Sequence, residues 1–167
     1  MLGLPGVFAQ VAEYCAGEAG RRQVLASRVY TDPPSVLAER APAVELRRLL
    51  ESGFQPPELD LPEIGAPLGR LRRGAPTLDP EELAAVGRLA ATTEAIRGAL
   101  AEVADPVERP ALSAQSAQLP LLGSLGADLL RVVGVDGTIQ DHAVPELARV
   151  KRDLRRLQLQ IETAAAS

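Results

Sequence analysis

The sequence predicts an all-α fold. Wherever apolar residues recur with a period, they recur at spacings of three and four, which places them on one face of a helix. Helix-start chemistry recurs along the chain, at Pro5, at Asp32-Pro33 and at Asp79-Pro80. No stretch alternates apolar and polar residues for long enough to supply a sheet. A chain of 167 residues with 46% apolar content has the size of one domain, or of one domain with an appendage. The pattern divides it into a helical core over 1–133 and a turn followed by a long helix over 134–167.

The first predicted helix runs from Pro5 to Ala16, with Pro5 where no N–H partner is needed and Gly17 as its end. Val7, Val11 and Cys15 share one face expected to reach the core. A second helix, Glu18 to about Tyr30, is expected to turn Val24, Leu25 and Val29 inward. Thr31-Asp32-Pro33-Pro34-Ser35 breaks the chain with capping residues. Helix then returns to about Ser52, although Pro42 lies inside it. An interior proline costs about 3 kcal/mol, so a kink, or two helices meeting near Ala41, is expected.

Gly53 to Pro62 is a loop, blocked by Pro56-Pro57 and Pro62. A short helix from Glu63 to Arg73 ends at Gly74. Asp79 as N-cap, Pro80 at N1 and Glu82 at N3 then make a capping-box variant. That helix should run to about Ala104, with Leu83, Val86, Leu89, Ile96, Leu100 and Val103 as its buried stripe, before Asp105-Pro106 stops it. Val107 to Gln118 is irregular or a short helix. Pro120 to Val133 is a further helix, with Leu122, Leu125, Leu129 and Val132 on one side. Gly134 to Thr138 is expected to be a short extended piece.

The strongest local pattern comes last. Asp136-Gly137 is a turn pair, because glycine accepts positive φ and aspartate bonds its own backbone. Asp141 is placed to accept backbone N–H groups, and Pro145 suits a first helical turn. Leu147, Val150, Leu154, Leu157 and Ile161 then form a heptad-like seam, narrower than the face of an ordinary globular helix. Arg149, Arg152, Arg155 and Arg156 lie on the other side. The sequence closes on Ala164-Ala165-Ala166 with no Gly or Pro stop, as expected of a long helix cut short.

Composition excludes several classes. Aromatics are only 2%, so the core must be built from Leu, Val and Ala, and no cluster of stacking rings is available for bases. The formal net charge of -4 gives no global basic field, so any nucleic-acid contact must be local. The single Cys15 rules out an internal disulfide or a multi-cysteine metal site and is expected to be a small core residue. No apolar run reaches the length of a membrane span, and the first residues lack a basic n-region with a long h-region. A cytoplasmic protein without membrane contact is expected.

Three stretches invite a chemical reading and do not sustain it. Val135-Asp136-Gly137-Thr138-Ile139 is similar to the D-x-D-G-T loop of haloacid-dehalogenase-type phosphatases, but the nucleophile's position holds Gly134. His142, the only histidine, has Asp141 beside it and no further catalytic partner at a recognisable spacing. Gly65-Ala66-Pro67-Leu68-Gly69 lacks the Lys-Ser/Thr pair of a phosphate loop. No catalytic residue and no metal ligand is therefore assigned, and no cofactor is expected within this chain. Arg70, Arg72 and Arg73 sit where cations favour a helix C-terminus, a role that competes with ligand binding.

The segment D-G-T-I-Q-D-H-A-V-P-E-L-A-R-V-K resembles the D-G-x-I-x-D-x-A-S-P-x-L-x-x-I-R segment of a bacterial MutS paralogue, the MutS-two family. Asp136, Gly137, Ile139, Asp141, Ala143, Pro145, Leu147 and Arg149 fit; His142, Val144 and Lys151 depart from it. Gly69 to Leu83 resembles the family's R-x-x-x-G-x-x-L-x-x-x-E-L, and Val11 to Ala16 resembles its L-A-x-Y-A. The order and spacing of the three blocks match over nearly the whole chain. The resemblance implies the N-terminal, MutS-like helical core and the start of a first lever helix. It implies a full-length relative that is a dimeric, DNA-associated ATPase using ATP and Mg, restrains recombination, acts in some members on stalled ribosomes, and often ends in an endonuclease domain. The ATPase and nuclease motifs are absent here, so a non-catalytic chain is expected.

Two functions from different classes follow. The first is a module of a DNA-processing ATPase, with Arg149, Arg152, Arg155 and Arg156 on nucleic acid, branched DNA included, and Leu147, Val150, Leu154, Leu157 and Ile161 as a homodimer interface. The second is a stand-alone helical protein–protein interaction domain, in which the arginines are a solvated flank.

Overall fold

The computed structural model describes residues 3–74, 77–103 and 105–140. Among them are seven helices and no strand beyond one isolated bridge, so the all-α expectation stands. Most of the predicted second unit, residues 141–167 of 134–167, lies outside the described residues.

Helix α1 (Leu4–Ala12) and helix α2 (Glu18–Leu25) form a hairpin. The first helix ends four residues before Ala16 because the amides of Glu13, Tyr14 and Cys15 bond carbonyls three residues back, a tighter winding than an α-helix. Its buried contact is Ala12. The expected core residues Val7, Val11, Leu25 and Val29 are 42, 49, 51 and 58% exposed, while Cys15 and Val24 are half-buried. That expectation is corrected: a hairpin of two short helices buries the small side chain between them and leaves the larger ones outside.

Helix α3 (Pro33–Glu51) starts where predicted, with the Asp32 carboxylate accepting the Ser35 amide at 2.9 Å. It continues through Pro42 as one element, so the alternative of two helices near Ala41 is corrected. Helix α4 (Gly65–Arg72) begins two residues later than expected, because Glu63 turns its carboxylate back onto the Gly65 amide at 2.9 Å.

Helix α5 (Pro80–Val103) matches its predicted limits closely. Its predicted stripe of Leu, Val and Ile is only half-buried, and the line that meets other elements is Ala84, Gly87, Ala90 and Thr92. The reason is helix α7 (Leu125–Val132), which crosses it at very short range. A Cβ added at Gly126 would lie 2.5 Å from the Ala91 backbone nitrogen and 2.9 Å from the Gly87 carbonyl oxygen. Small residues on both helices let the backbones touch, so the large neighbours pack at the sides. Among the predicted α7 residues, Leu122 and Leu129 are half-buried, Leu125 and Val132 are exposed, and Gly126 is the buried one.

Helix α6 (Pro110–Ser116) packs between α3 and α5. Its first amides, Ala111 and Leu112, donate to the Glu45 carboxylate of α3 at 3.3 and 2.7 Å. A comparable device shortens α7. The Leu122 and Gly123 amides donate to Glu94 of α5 at 2.6 and 3.2 Å, which holds 120–124 as a loop where helix was expected.

Candidate functional site

Two of the three sequence blocks that carry the family resemblance meet at the N-terminal end of α5. The first supplies α4 and the start of α5. Glu82 reaches back to the Asp79 amide at 3.1 Å, the reciprocal half of the predicted capping box. The same carboxylate pairs with Arg70 of α4, and these two donors, Arg70 first, hold Glu82 below the usual carboxylate range. Arg70 is therefore committed to structure. Arg72 and Arg73 are exposed and have no carboxylate partner among the described residues.

The second block supplies the turn at 133–140. Val133 and Ile139 form an antiparallel bridge, and the Gln140 amide donates to the Val132 carbonyl at 2.9 Å. The expected extended piece over Gly134 to Thr138 is thus a closed turn. Asp136 accepts the Thr138 amide at 3.1 Å and its hydroxyl at 2.8 Å, and these bonds lower its pKa, the hydroxyl foremost. Gly137 has φ +79 and lies flat on α5: a Cβ there would stand 3.0 Å from Glu81 Cα. Only glycine satisfies both demands.

One side chain spans the junction. Arg88 donates through Nη1 to the Val135 carbonyl at 2.7 Å and pairs through Nε with Asp60 of the 53–64 loop at 2.9 Å. Sequence reasoning missed Arg88, and also Glu94 and Glu45. The available signal was sparseness: between Glu82 and Arg97, Arg88 and Glu94 are the only charges on α5.

The described charged groups at the junction, Arg70, Glu82, Arg88 and Asp60, are paired with one another or with the backbone. Asp136 accepts both of its bonds at Oδ1 from Thr138 within its own turn, and the nucleophile position of the phosphatase-like loop is glycine. Among the described residues no group of His, Cys, Asp and Glu is arranged to hold a metal ion. A cavity of about 640 Å³ opens between the ends of α3 and α5, lined by Leu49, Phe54, Val103, Asp105 and Arg109. Two of its polar groups are engaged within the fold: Arg109 with the Val103 carbonyl and Glu108, Asp105 with the amides of Val107 and Glu108. No described helix is long and apolar enough to cross a membrane.

The predicted nucleic-acid residues Arg149, Arg152, Arg155 and Arg156 lie outside the described residues, as do the interface residues Leu147, Val150, Leu154, Leu157 and Ile161 and the only histidine, His142. The described turn is the piece of chain that leads to them, through Gln140.

Comparison with known proteins places the chain beside one group. It is 33% identical over 148 residues to Endonuclease MutS2 of Symbiobacterium thermophilum, covering 89% of this chain and 18% of that protein. Endonuclease MutS2 of Lacticaseibacillus paracasei is 32% identical over 145 residues, covering 85% of the chain and 18% of the relative. That of Gemmatimonas aurantiaca is 31% identical over 159 residues, covering 92% and 19%. The chain thus spans about a fifth of the length of the curated relatives it matches, and it fits an N-terminal portion of MutS2. No family model matches, and no solved structure matches.

Proposed function

We propose that this chain, which fits the N-terminal part of MutS2 over most of its own length, is a non-catalytic helical module of a DNA-processing protein that suppresses recombination. The observation that carries the reading is the 31–33% identity to Endonuclease MutS2 proteins across 85–92% of the chain. ATP and Mg, like any ribosome contact, belong in this reading to the full-length protein and not to these residues.

Within it, Arg149, Arg152, Arg155 and Arg156 contact phosphates, and Leu147, Val150, Leu154, Leu157 and Ile161 assemble two copies. The negative net charge of -4 and the scarcity of aromatics support weak binding with no base preference. Fluorescence anisotropy with linear and branched DNA across a salt series tests the first part. Affinity should fall with salt, by a slope of about -0.9 per phosphate neutralised on duplex. Replacing Arg149, Arg152 and Arg156 together by Glu should abolish it. Unchanged binding in that variant would make the arginines a solvated flank, and no binding by the parent chain would favour the protein–protein module. Light scattering on Leu154→Glu, Leu157→Glu tests the second part, with a dimer converted to monomer as the expected result.

A further inference from the structure

We infer that Arg88 is a positioning residue that couples the order of the turn at 133–140 to the 53–64 loop, so that Asp60 holds a turn it does not touch. The inference rests on the described fold alone and stands whether or not the chain binds DNA.

The geometry is specific. A guanidinium is planar and carries its donors in a fixed fork, so engaging one edge fixes the direction of the others. Arg88 uses Nε on Asp60 and Nη1 on the Val135 carbonyl, 47 residues away. Its side chain is 29% exposed and that of Asp60 is 51% exposed. Freed from Asp60, a long cationic side chain at that exposure gains rotamers that reach water, and the bond to Val135 weakens with it.

The turn depends on such outside help. Of its own bonds, Asp136 to Thr138 and the Gly137 amide to the Gly134 carbonyl at 3.2 Å close the tip on itself, while the Val133–Ile139 bridge and the Gln140 amide on the Val132 carbonyl tie its base to the end of α7. Its contacts with α5 include two: the face of Gly137 on Glu81, and Arg88 on Val135. The first is contact without a directed bond. The second sets the angle at which the chain leaves through Gln140, and that angle is tuned from the 53–64 loop.

Hydrogen exchange of the Gln140 amide, which is bonded to the Val132 carbonyl, reads the coupling directly. In Asp60→Asn, exchange at Gln140 should be about two- to fivefold faster, the range of a partly exposed ion pair, with the α5 amides from Leu83 to Ala91 unchanged. Arg88→Leu should accelerate it further, and adding Asp60→Asn to Arg88→Leu should then change nothing more. If Arg88→Leu does not fold, Arg88→Gln serves the same cycle. High salt on the unmodified chain should move Gln140 toward the Asp60→Asn rate. Unchanged exchange at Gln140 in Asp60→Asn overturns the inference, and so does an effect of Asp60→Asn that persists in full without Arg88.

Discussion

The α5–α7 pair and the α1–α2 hairpin are both helix pairs, yet they are held together in opposite ways. In the first, glycine and alanine bring two backbones into contact, and charged side chains from α5 bind the amides of neighbouring loops. In the second, neither helix has a side-chain cap at its N-terminus, and Leu4, Val7, Val11 and Leu25 stay between 42 and 51% exposed. The hairpin's ties to the rest include the Arg22–Glu63 ion pair at 2.9 Å and Leu61 lying on Gly17. Apolar periodicity is equally visible in both. What separates them is the presence of a neighbour close enough to use it.

The sharpest way to break the comparison is Gly126→Leu. Its side chain has no room against the Ala91 backbone, and overpacking of this kind costs typically 1–3 kcal/mol and more when backbone must move. Thermal melting should show the largest loss of any single change considered, and a melting curve like the parent's would mean that the helices separate freely. Glu45→Ala comes next. Two amides at the start of α6 lose their acceptor, which should lower stability by about 1 kcal/mol, read as a shift in the urea midpoint.

Acid sharpens the contrast further. Glu82 and Glu94 are both held below the usual carboxylate range, Glu94 by Arg97 first and then by the Leu122 amide. A lowered folded-state pKa gives stability that is present above the unfolded carboxylate range, about pH 4, and is lost as pH falls through the folded value. Amides of Leu122 and Gly123 should therefore lose protection on acidification, and Glu94→Gln should flatten that acid limb. The smallest effect is expected at Val11→Ser, within about 0.5 kcal/mol as for exposed positions generally. A larger loss would show that the hairpin's outer face is covered in solution.

The elements whose limits were legible are those set by neighbours in sequence. Asp32 before two prolines, Pro80 with Glu82, and Asp136-Gly137 each specify backbone within four residues, and each was found where expected. Burial was not legible, because it is a property of pairs. Nothing in Leu83 or Val86 announces that Gly87 will be the point of contact; that depends on Gly126, 39 residues later. Val7 and Val11 have the right spacing for a core and no partner that buries them among the described residues. The site was legible as a family resemblance and as a turn. Arg88 escaped notice because a lone arginine on a helix reads as surface until Asp60 and Val135 are seen around it.

Along α5, the charged side chains that bond to other elements are Glu82, Arg88 and Glu94, spaced six apart. At about 100° per residue, six residues carry the direction round by about 240°, so three such side chains point to three different sides of the rod, about 9 Å apart along it. The arrangement is that of a mast with three stays. A helix gripped on one side can roll or slide as its neighbours shift, but one stayed on three sides transmits a push along its length as a solid body. Whatever load the chain takes at one end of α5 is thereby shared among α4, the 53–64 loop, the 133–140 turn and the loop before α7.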